Sequence, residues 1–166
     1  MRASIVFLMG LLLGTAISTG SAQGVGGQGE RLPGMNGVNH IAMSVENFDE
    51  AFAFYTQKMG FREVLTLRDD KGQPTLAFVQ ASRNTFLELA PSNTNRPPGL
   101  THFGLQVQDM NATIAALKQR GVTVGDPRTV GKQWVVANAT GPSGVRIELT
   151  ELGHDSPPSQ ATESWK

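Results

Sequence analysis

Residues 40–58 can be laid over residues 102–120 along their whole length, so this chain must fold as two copies of one unit packed together. Each copy opens with a strand pattern that starts at a histidine and alternates to a valine, Val45 or Val107. Each breaks at a polar pair, Glu46-Asn47 or Gln108-Asp109, and continues with helical spacing. Phe48, Ala51, Phe52 and Tyr55 form the apolar stripe of the first helix; Met110, Ile114 and Leu117 form that of the second. Asn47 and Asp109 suit the N-caps, and Gly60 and Gly121 suit left-handed residues at the C-terminal ends. The period then changes to two. Strands are expected near residues 62–67, 75–80 and 85–89 in the first copy, and near 123–124, 132–138 and 145–150 in the second. Asp70-Lys71-Gly72, Ser82-Arg83-Asn84 and Gly141-Pro142-Ser143-Gly144 supply turns, and residues 93–99 link the copies. The unit is therefore β-α-β-β-β, used twice, and the fold class is α+β.

Strand phase locates the chemistry. Neighbouring side chains in a strand point to opposite faces. His40, Ala42 and Ser44 oppose Ile41, Met43 and Val45; His102, Gly104 and Gln106 oppose Phe103, Leu105 and Val107. Glu88 opposes Leu87 and Leu89, while Glu148, with Arg146 and Thr150, opposes Ile147 and Leu149. The greasy face of each strand is expected to take a helix, leaving the small or polar face to carry a histidine or glutamate. The histidines lie 62 residues apart and the glutamates 60. Any one of the four, alone, fits a solvent-facing role. A carboxylate between large aliphatics is costly unless paired or metal-bound, and two of them recur in matched phase with two imidazoles. His40, Glu88, His102 and Glu148 are thus the candidate ligands of one divalent metal ion. Nickel, zinc, cobalt, manganese and ferrous iron all accept such a set. Ala42 and Gly104 leave room beside it.

The bulk composition narrows the rest. The 166 residues suffice for one domain with a real core. Fourteen basic and fourteen acidic residues cancel, and no dense basic cluster argues for nucleic acid. The absence of cysteine excludes disulfides, thiolate metal sites and a cysteine nucleophile. Arg2, the apolar run from Ile5 to Leu13 and the small residues from Ser18 to Ala22 read as an export signal over residues 1–22. The run is too short to span a bilayer comfortably. Residues 23–36, rich in Gly and Gln, are expected to be a flexible lead-in. The mature protein is expected to be periplasmic or secreted, and free of the membrane.

These pieces together resemble the vicinal oxygen chelate superfamily, which contains glyoxalase I. The matching residues are Asn39-His40-Ile41, Phe54-Tyr55, Met59-Gly60-Phe61, Glu88, His102-Phe103-Gly104 and the run from Gly144 to Leu149. The resemblance spans residues 37–152, with modules at 37–92 and 100–152, and leaves residues 153–166 as a C-terminal tail. It implies a cupped, mostly antiparallel sheet around one metal that chelates two neighbouring substrate oxygens. It implies a lyase or isomerase that works through an enediolate, with Glu148 as ligand and base and Glu88 as a second base on the opposite face. It also implies a small-molecule substrate and a homodimer. Two features depart from a glutathione-dependent glyoxalase. Ala42, Met43 and Ser44 stand where that enzyme carries an arginine, and Gly141-Pro142-Ser143-Gly144 replaces its acidic turn.

Two alternatives remain open on the sequence: an extradiol-type dioxygenase, disfavoured by the fourth ligand Glu88, and a non-catalytic ligand-binding or resistance protein of the same fold; epimerisation beside a thioester carbonyl is a further variant, disfavoured because coenzyme A is not expected outside the cytoplasm. Arg62, Arg68, Arg83, Arg96 and Lys132 are candidate anion binders, although long cations are usually solvated. Trp134 fits either the pocket or the core, and His154, beside Asp155, reads as a surface residue. A short helix is expected after Pro157-Pro158, with Trp165 docking on the body or on a partner subunit.

Overall fold

The computed structural model describes residues 31–166, and the expected export signal lies outside them. The elements run β1 (Met35–Val45), α1 (Phe48–Ala53), β2 (Arg62–Arg68), β3 (Pro74–Ser82), β4 (Thr85–Pro91), β5 (Gly99–Val107), α2 (Met110–Gln119), β6 (Arg128–Gly131), β7 (Trp134–Thr140), β8 (Arg146–Leu152) and α3 (Pro157–Glu163). A wide helical turn, Phe54–Lys58, extends α1. The helix starts follow local chemistry: Asn47 accepts from the Glu50 N–H and Asp109 from the Ala112 N–H. Gly60 and Gly121 take positive φ, 73° and 77°, where the chain turns out of each helix.

All eight strands form one mixed sheet in the order β2-β3-β4-β1-β5-β8-β7-β6. The two modules meet at the antiparallel β1–β5 seam. Each module pairs its first and last strand in parallel, β1 with β4 and β5 with β8, and all other pairings are antiparallel. The fold is therefore α+β with two βαβββ modules, as the repeat requires, and the sheet curls into a half-barrel.

Each face of the sheet has its own core. On the outer face, Val107, Met110, Ile114, Val124, Ala137, Ala139 and Leu149 pack together beneath α2. Inside the curl, Phe78, Phe86, Trp134, Val136 and Ala161 pack together. Ala161 belongs to α3, so the tail closes part of the cup rather than trailing from it. Ser156 and Pro158 are buried, and Arg62 donates to the Ala161 carbonyl at 2.5 Å while its guanidinium carbon lies 5.9 Å from the Trp165 ring.

Four expectations need correction. The greasy face of β1 does not simply take a helix: Ile41 remains exposed and Met43 and Val45 are half-buried, whereas His40, Ala42 and Ser44 are buried. The inner face is the drier one at the seam, because Phe78, Phe86 and the tail fill the cup, while α1 lies against β4 and α2 against β7 and β8. The stretch 132–138 is not one strand. Lys132 and Gln133 turn the hairpin between β6 and β7, with Gln133 at φ 49°. Val124 makes only an isolated bridge to Ala139 in place of the expected strand. Finally, β1 begins at Met35, inside the expected lead-in, and Gln108 donates to the Gly34 carbonyl.

Candidate metal centre

The seam register brings the four candidates together. Across β1 and β5, His40 stands opposite Gly104, and Ala42 stands opposite His102. Along the parallel pairings, Glu88 lies beside Ala42 and Glu148 beside Gly104. In both modules the glutamate registers with the residue two places after the histidine, so the pattern closes about a local dyad. The two Nε2 atoms, His40 and His102, lie 3.2 Å apart. Glu148 Oε1 is 3.6 Å from the first and 3.9 Å from the second. Glu88 completes the group, whose ligand atoms all lie within 4.8 Å of one another. His154 is elsewhere, exposed, and pairs with Asp155 at 2.9 Å.

Surrounding residues fix the imidazoles. His40 is wholly buried, with its ring edge-on to Phe78 and to His102 at centroid distances of 5.3 and 5.2 Å. Asn39 Oδ1 lies 3.1 Å from His40 Nδ1, and Asn39 donates through Nδ2 to Gln106 Oε1 at 3.3 Å. That chain keeps the Asn39 oxygen toward the ring, places the proton on His40 Nδ1 and leaves Nε2 with a free lone pair. Gly104 is the floor beneath the ring. A Cβ built there would fall on His40 Cε1 and Nδ1 and 2.6 Å from Nε2.

The site opens into a cavity of about 560 Å³. Leu65, Leu76 and Val136 form an apolar wall, together with Trp134, whose indole N–H donates to Thr150 Oγ1 at 2.8 Å. Of the candidate anion binders, only Arg96 lines this cavity; Arg62 and Arg83 instead serve the tail, and Lys132 pairs with Asp155 at 3.0 Å. Two arginines that the sequence did not single out stand here as well. Arg128 Nη2 is 3.7 Å from Glu148 Oε2, and the Arg146 guanidinium contacts His102 Nδ1. Arg146 shares the phase of Glu148 and was legible as inward-facing; Arg128 sits on a strand the pattern did not reveal.

Comparison with known proteins now bears on this geometry. The family model of the Glyoxalase/Bleomycin resistance protein/Dioxygenase superfamily matches residues 37–149. The chain belongs to this superfamily. A relative, 2-epi-5-epi-valiolone epimerase of an Actinomyces species, is 31% identical over 81% of this chain and 90% of its own. Methylmalonyl-CoA epimerase from Mycobacterium tuberculosis shares the fold, with a TM-score of 0.61 at 23% identity over 72% of this chain and 89% of that one. A second methylmalonyl-CoA epimerase structure has the same TM-score at 24% identity, over 75% of this chain and 99% of its own.

The donor set of this superfamily member fits a divalent ion. Ligand atoms about 2.0–2.2 Å from one ion stand roughly 3–3.5 Å apart, close to the spacing of the two Nε2 atoms and Glu148. Protonation agrees. Burial, then the charge of Arg146, lowers His40 to about 4. Burial lowers His102 to about 3, with Arg146, His40 and Arg128 acting the same way. Both rings are therefore neutral at ordinary pH, the form that can ligate a metal, and their contacts with Glu148 are not ion pairs. Burial raises Glu148, against the pull of Arg128 and Arg146. Burial, then the charge of Glu148, raises Glu88 to about 7. Both carboxyls thus hold their protons more tightly than free ones, and the charge of Glu148 adds to the effect of burial on Glu88.

A linkage prediction follows. Ligation requires the Glu88 carboxylate, so zinc binding at pH 6 should release about one proton per chain, and affinity should rise with pH until about 7. The histidines, already neutral, release none. Calorimetry in buffers of different ionisation enthalpy measures the release. Glu88→Gln should abolish most of it; unchanged release in that variant would assign the proton elsewhere.

Proposed function

We propose that this protein is a metal-dependent epimerase or isomerase that moves a proton at the carbon beside a carbonyl in a small, oxygen-rich substrate. The observation that carries this reading is the placement of two carboxylates, Glu88 and Glu148, on opposite flanks of one histidine pair inside one cup. Inverting a carbon next to a carbonyl requires a proton to leave one face and another to arrive on the opposite face. His40, His102, Glu148 and Glu88 would hold the ion, whose chemistry when bound is to polarise the carbonyl and favour negative charge on its oxygen.

The chain's own groups supply the proton transfer. Glu148, as the carboxylate, accepts the proton from the C–H bond and becomes a carboxylic acid. Glu88 must come off the ion to act as the acid: unligated, it is raised to about 7, so it can hold a proton at neutral pH and give it to the other face. The carboxylates end with roles exchanged, and exchange with water resets them. Trp134 and its aliphatic neighbours keep bulk water from the reacting carbon. The names of the relatives support epimerisation over thiohemiacetal isomerisation. So does the absence of an arginine among Ala42, Met43 and Ser44. The reading includes export from the cytoplasm, based on residues 1–22. It also includes a homodimer, which would cover exposed Ile41, Leu100 and Val145.

The test is hydrogen exchange. Metal-loaded protein is incubated in deuterium oxide with a panel of α-hydroxy ketones and followed by NMR. Deuterium is expected at the carbon beside the carbonyl, together with interconversion of the two epimers. A protein holding one divalent ion per chain that exchanges no C–H in the panel would lose this reading. Turnover of a glutathione thiohemiacetal without epimerisation would return it to the lyase class.

A further inference from the structure

We infer that the cup contains an oxyanion subsite built from Arg96 and Arg146, so that the substrate carries a carboxylate or a phosphate ester beside its reacting carbonyl. The inference deepens the reading just given and rests on it for the identity of the reaction, but the subsite itself stands on separate observations.

The first observation is charge. Three guanidiniums, Arg96, Arg128 and Arg146, line the cavity, and its only acids are Glu88 and Glu148. One divalent ion would match the two carboxylates. The three arginines then leave the cavity with excess positive charge; Arg128 and Arg146 reach solvent, where that charge is screened, and half-buried Arg96 is the least screened of the three.

The second observation is unspent hydrogen-bonding capacity. Arg96 projects from the link between the modules and is half-buried. Its Nη2 donates to the Pro91 carbonyl at 2.8 Å, but its Nε is buried with no partner. An orphaned buried donor costs stability, and a ligand oxygen would satisfy it. The Arg146 guanidinium is hydrogen-bonded to His102 Nδ1. An imidazole that offers Nε2 to a metal carries its proton on Nδ1, so ring and guanidinium would then both be donors. Thr101 Oγ1, 3.1 Å from His102 Nδ1, can accept that proton's hydrogen bond, which leaves Arg146 free to turn to another acceptor.

The third observation is position. A second cavity of about 410 Å³ adjoins the first, and Glu88, Arg96 and Arg146 line both. The two arginines therefore stand at the shared wall, beside the carboxylate assigned the second proton transfer. Arg128 is on β6, its side chain 57% exposed, and suits electrostatic attraction of an anion toward the cup. Forked N–H groups match carboxylate and phosphate oxygens alike, so the chemistry is shared by both substrate types.

The experiment titrates zinc-loaded protein with inorganic phosphate and, separately, with acetate, by calorimetry at fixed ionic strength. The same titrations are run on Arg96→Gln, Arg146→Gln and His40→Ala. Saturable binding is expected, weakened about tenfold to a hundredfold in each arginine variant and retained in metal-depleted His40→Ala. Tighter binding of phosphate would assign a phosphate ester, and of acetate a carboxylate. Anion binding that disappears in His40→Ala but survives in both arginine variants would place the anion on the metal and overturn the subsite. So would an absence of binding in every form. Arg146 is exposed, so its variant stays informative if Arg96→Gln folds poorly. Failure of the C–H exchange panel alongside arginine-dependent anion binding would reject the reaction and keep the subsite. Exchange of neutral ketones with no arginine dependence would do the reverse.

Discussion

Gly104→Ala is expected to abolish metal binding at the candidate site, although the substitution adds only one methyl group and removes no ligand atom. The added Cβ would occupy the position of the His40 ring, and that ring has nowhere to go. His40 is wholly buried, packed edge-on against Phe78 and His102 and tied through Nδ1 to Asn39. Phe78 is itself fixed against Phe86 and Trp134 at centroid distances of 5.4 and 5.1 Å. Overpacking of this kind costs roughly 1–3 kcal/mol of stability, which a domain of this size can survive. The metal centre is less tolerant, because a displaced Nε2 no longer points at the ion. Affinity for zinc should fall by about a hundredfold or more, beyond the loss typical of altering an outer hydrogen bond. Elemental analysis of the purified variant, with a competitive chelator titration, measures this. Ala42→Gly is the matched control: Ala42 is the residue opposite His102 across the seam, and removing its methyl leaves both rings in place. A folded Gly104→Ala protein with wild-type zinc affinity would show that His40 is not a ligand.

The same pair of positions shows how much of the site the sequence made legible. Small residues two places after each histidine and glutamates in the last strand of each module were visible as a repeat. Strand phase put all four side chains on one face. The register then had little freedom, since a slip by one residue would have turned His40 into the outer face and Ile41 into the cup. The sequence could not supply which face would be drier. The expectation that aliphatic Ile41 faces a helix failed because the cup is filled by Phe78, Phe86 and α3, whose residues are distant along the chain. A tail rich in proline and serine carries no amphipathic signal strong enough to announce that Pro158 and Ala161 will be buried. Arg128 was hidden for a related reason. Its strand, Arg-Thr-Val-Gly, has one large apolar residue, and its place beside β7 depends on a turn at Lys132 and Gln133 that includes neither glycine nor proline. Arg146 needed no new signal, only the step from inward phase to a role.

Glu88→Gln and Glu148→Gln should fail differently, and the difference separates a two-base site from a one-base site. In the proposed reaction each carboxylate serves one face of the reacting carbon. Glu88→Gln leaves Glu148 able to remove a proton and return it to the face it came from. With zinc supplied in saturating excess, to offset the lost ligand, deuterium should therefore enter one epimer at a rate within a few-fold of wild type, while the other epimer neither exchanges nor forms. Interconversion should fall by about a hundredfold to ten-thousandfold, the usual contribution of a positioned acid or base. Glu148→Gln should lose more. Its oxygen is the carboxylate atom nearest both imidazoles, at 3.6 and 3.9 Å, so the amide weakens the ion's grip as well as removing a base. Zinc affinity should drop together with exchange from the epimer that Glu148 serves. Arg128 would also lose its anionic partner there, 3.7 Å away. NMR of each pure epimer in deuterium oxide, with metal content measured on the same samples, distinguishes the cases. Wild-type interconversion by Glu88→Gln would leave Glu148 as the single base, delivering its proton to either face, and would reduce Glu88 to a ligand. Loss of exchange from both epimers in Glu88→Gln, with zinc retained, would assign the proton abstraction to Glu88 instead. The two carboxylates lie on strands separated by β1 and β5, each facing the histidine pair from its own side, and this separation is what makes opposite-face proton transfer the expected result.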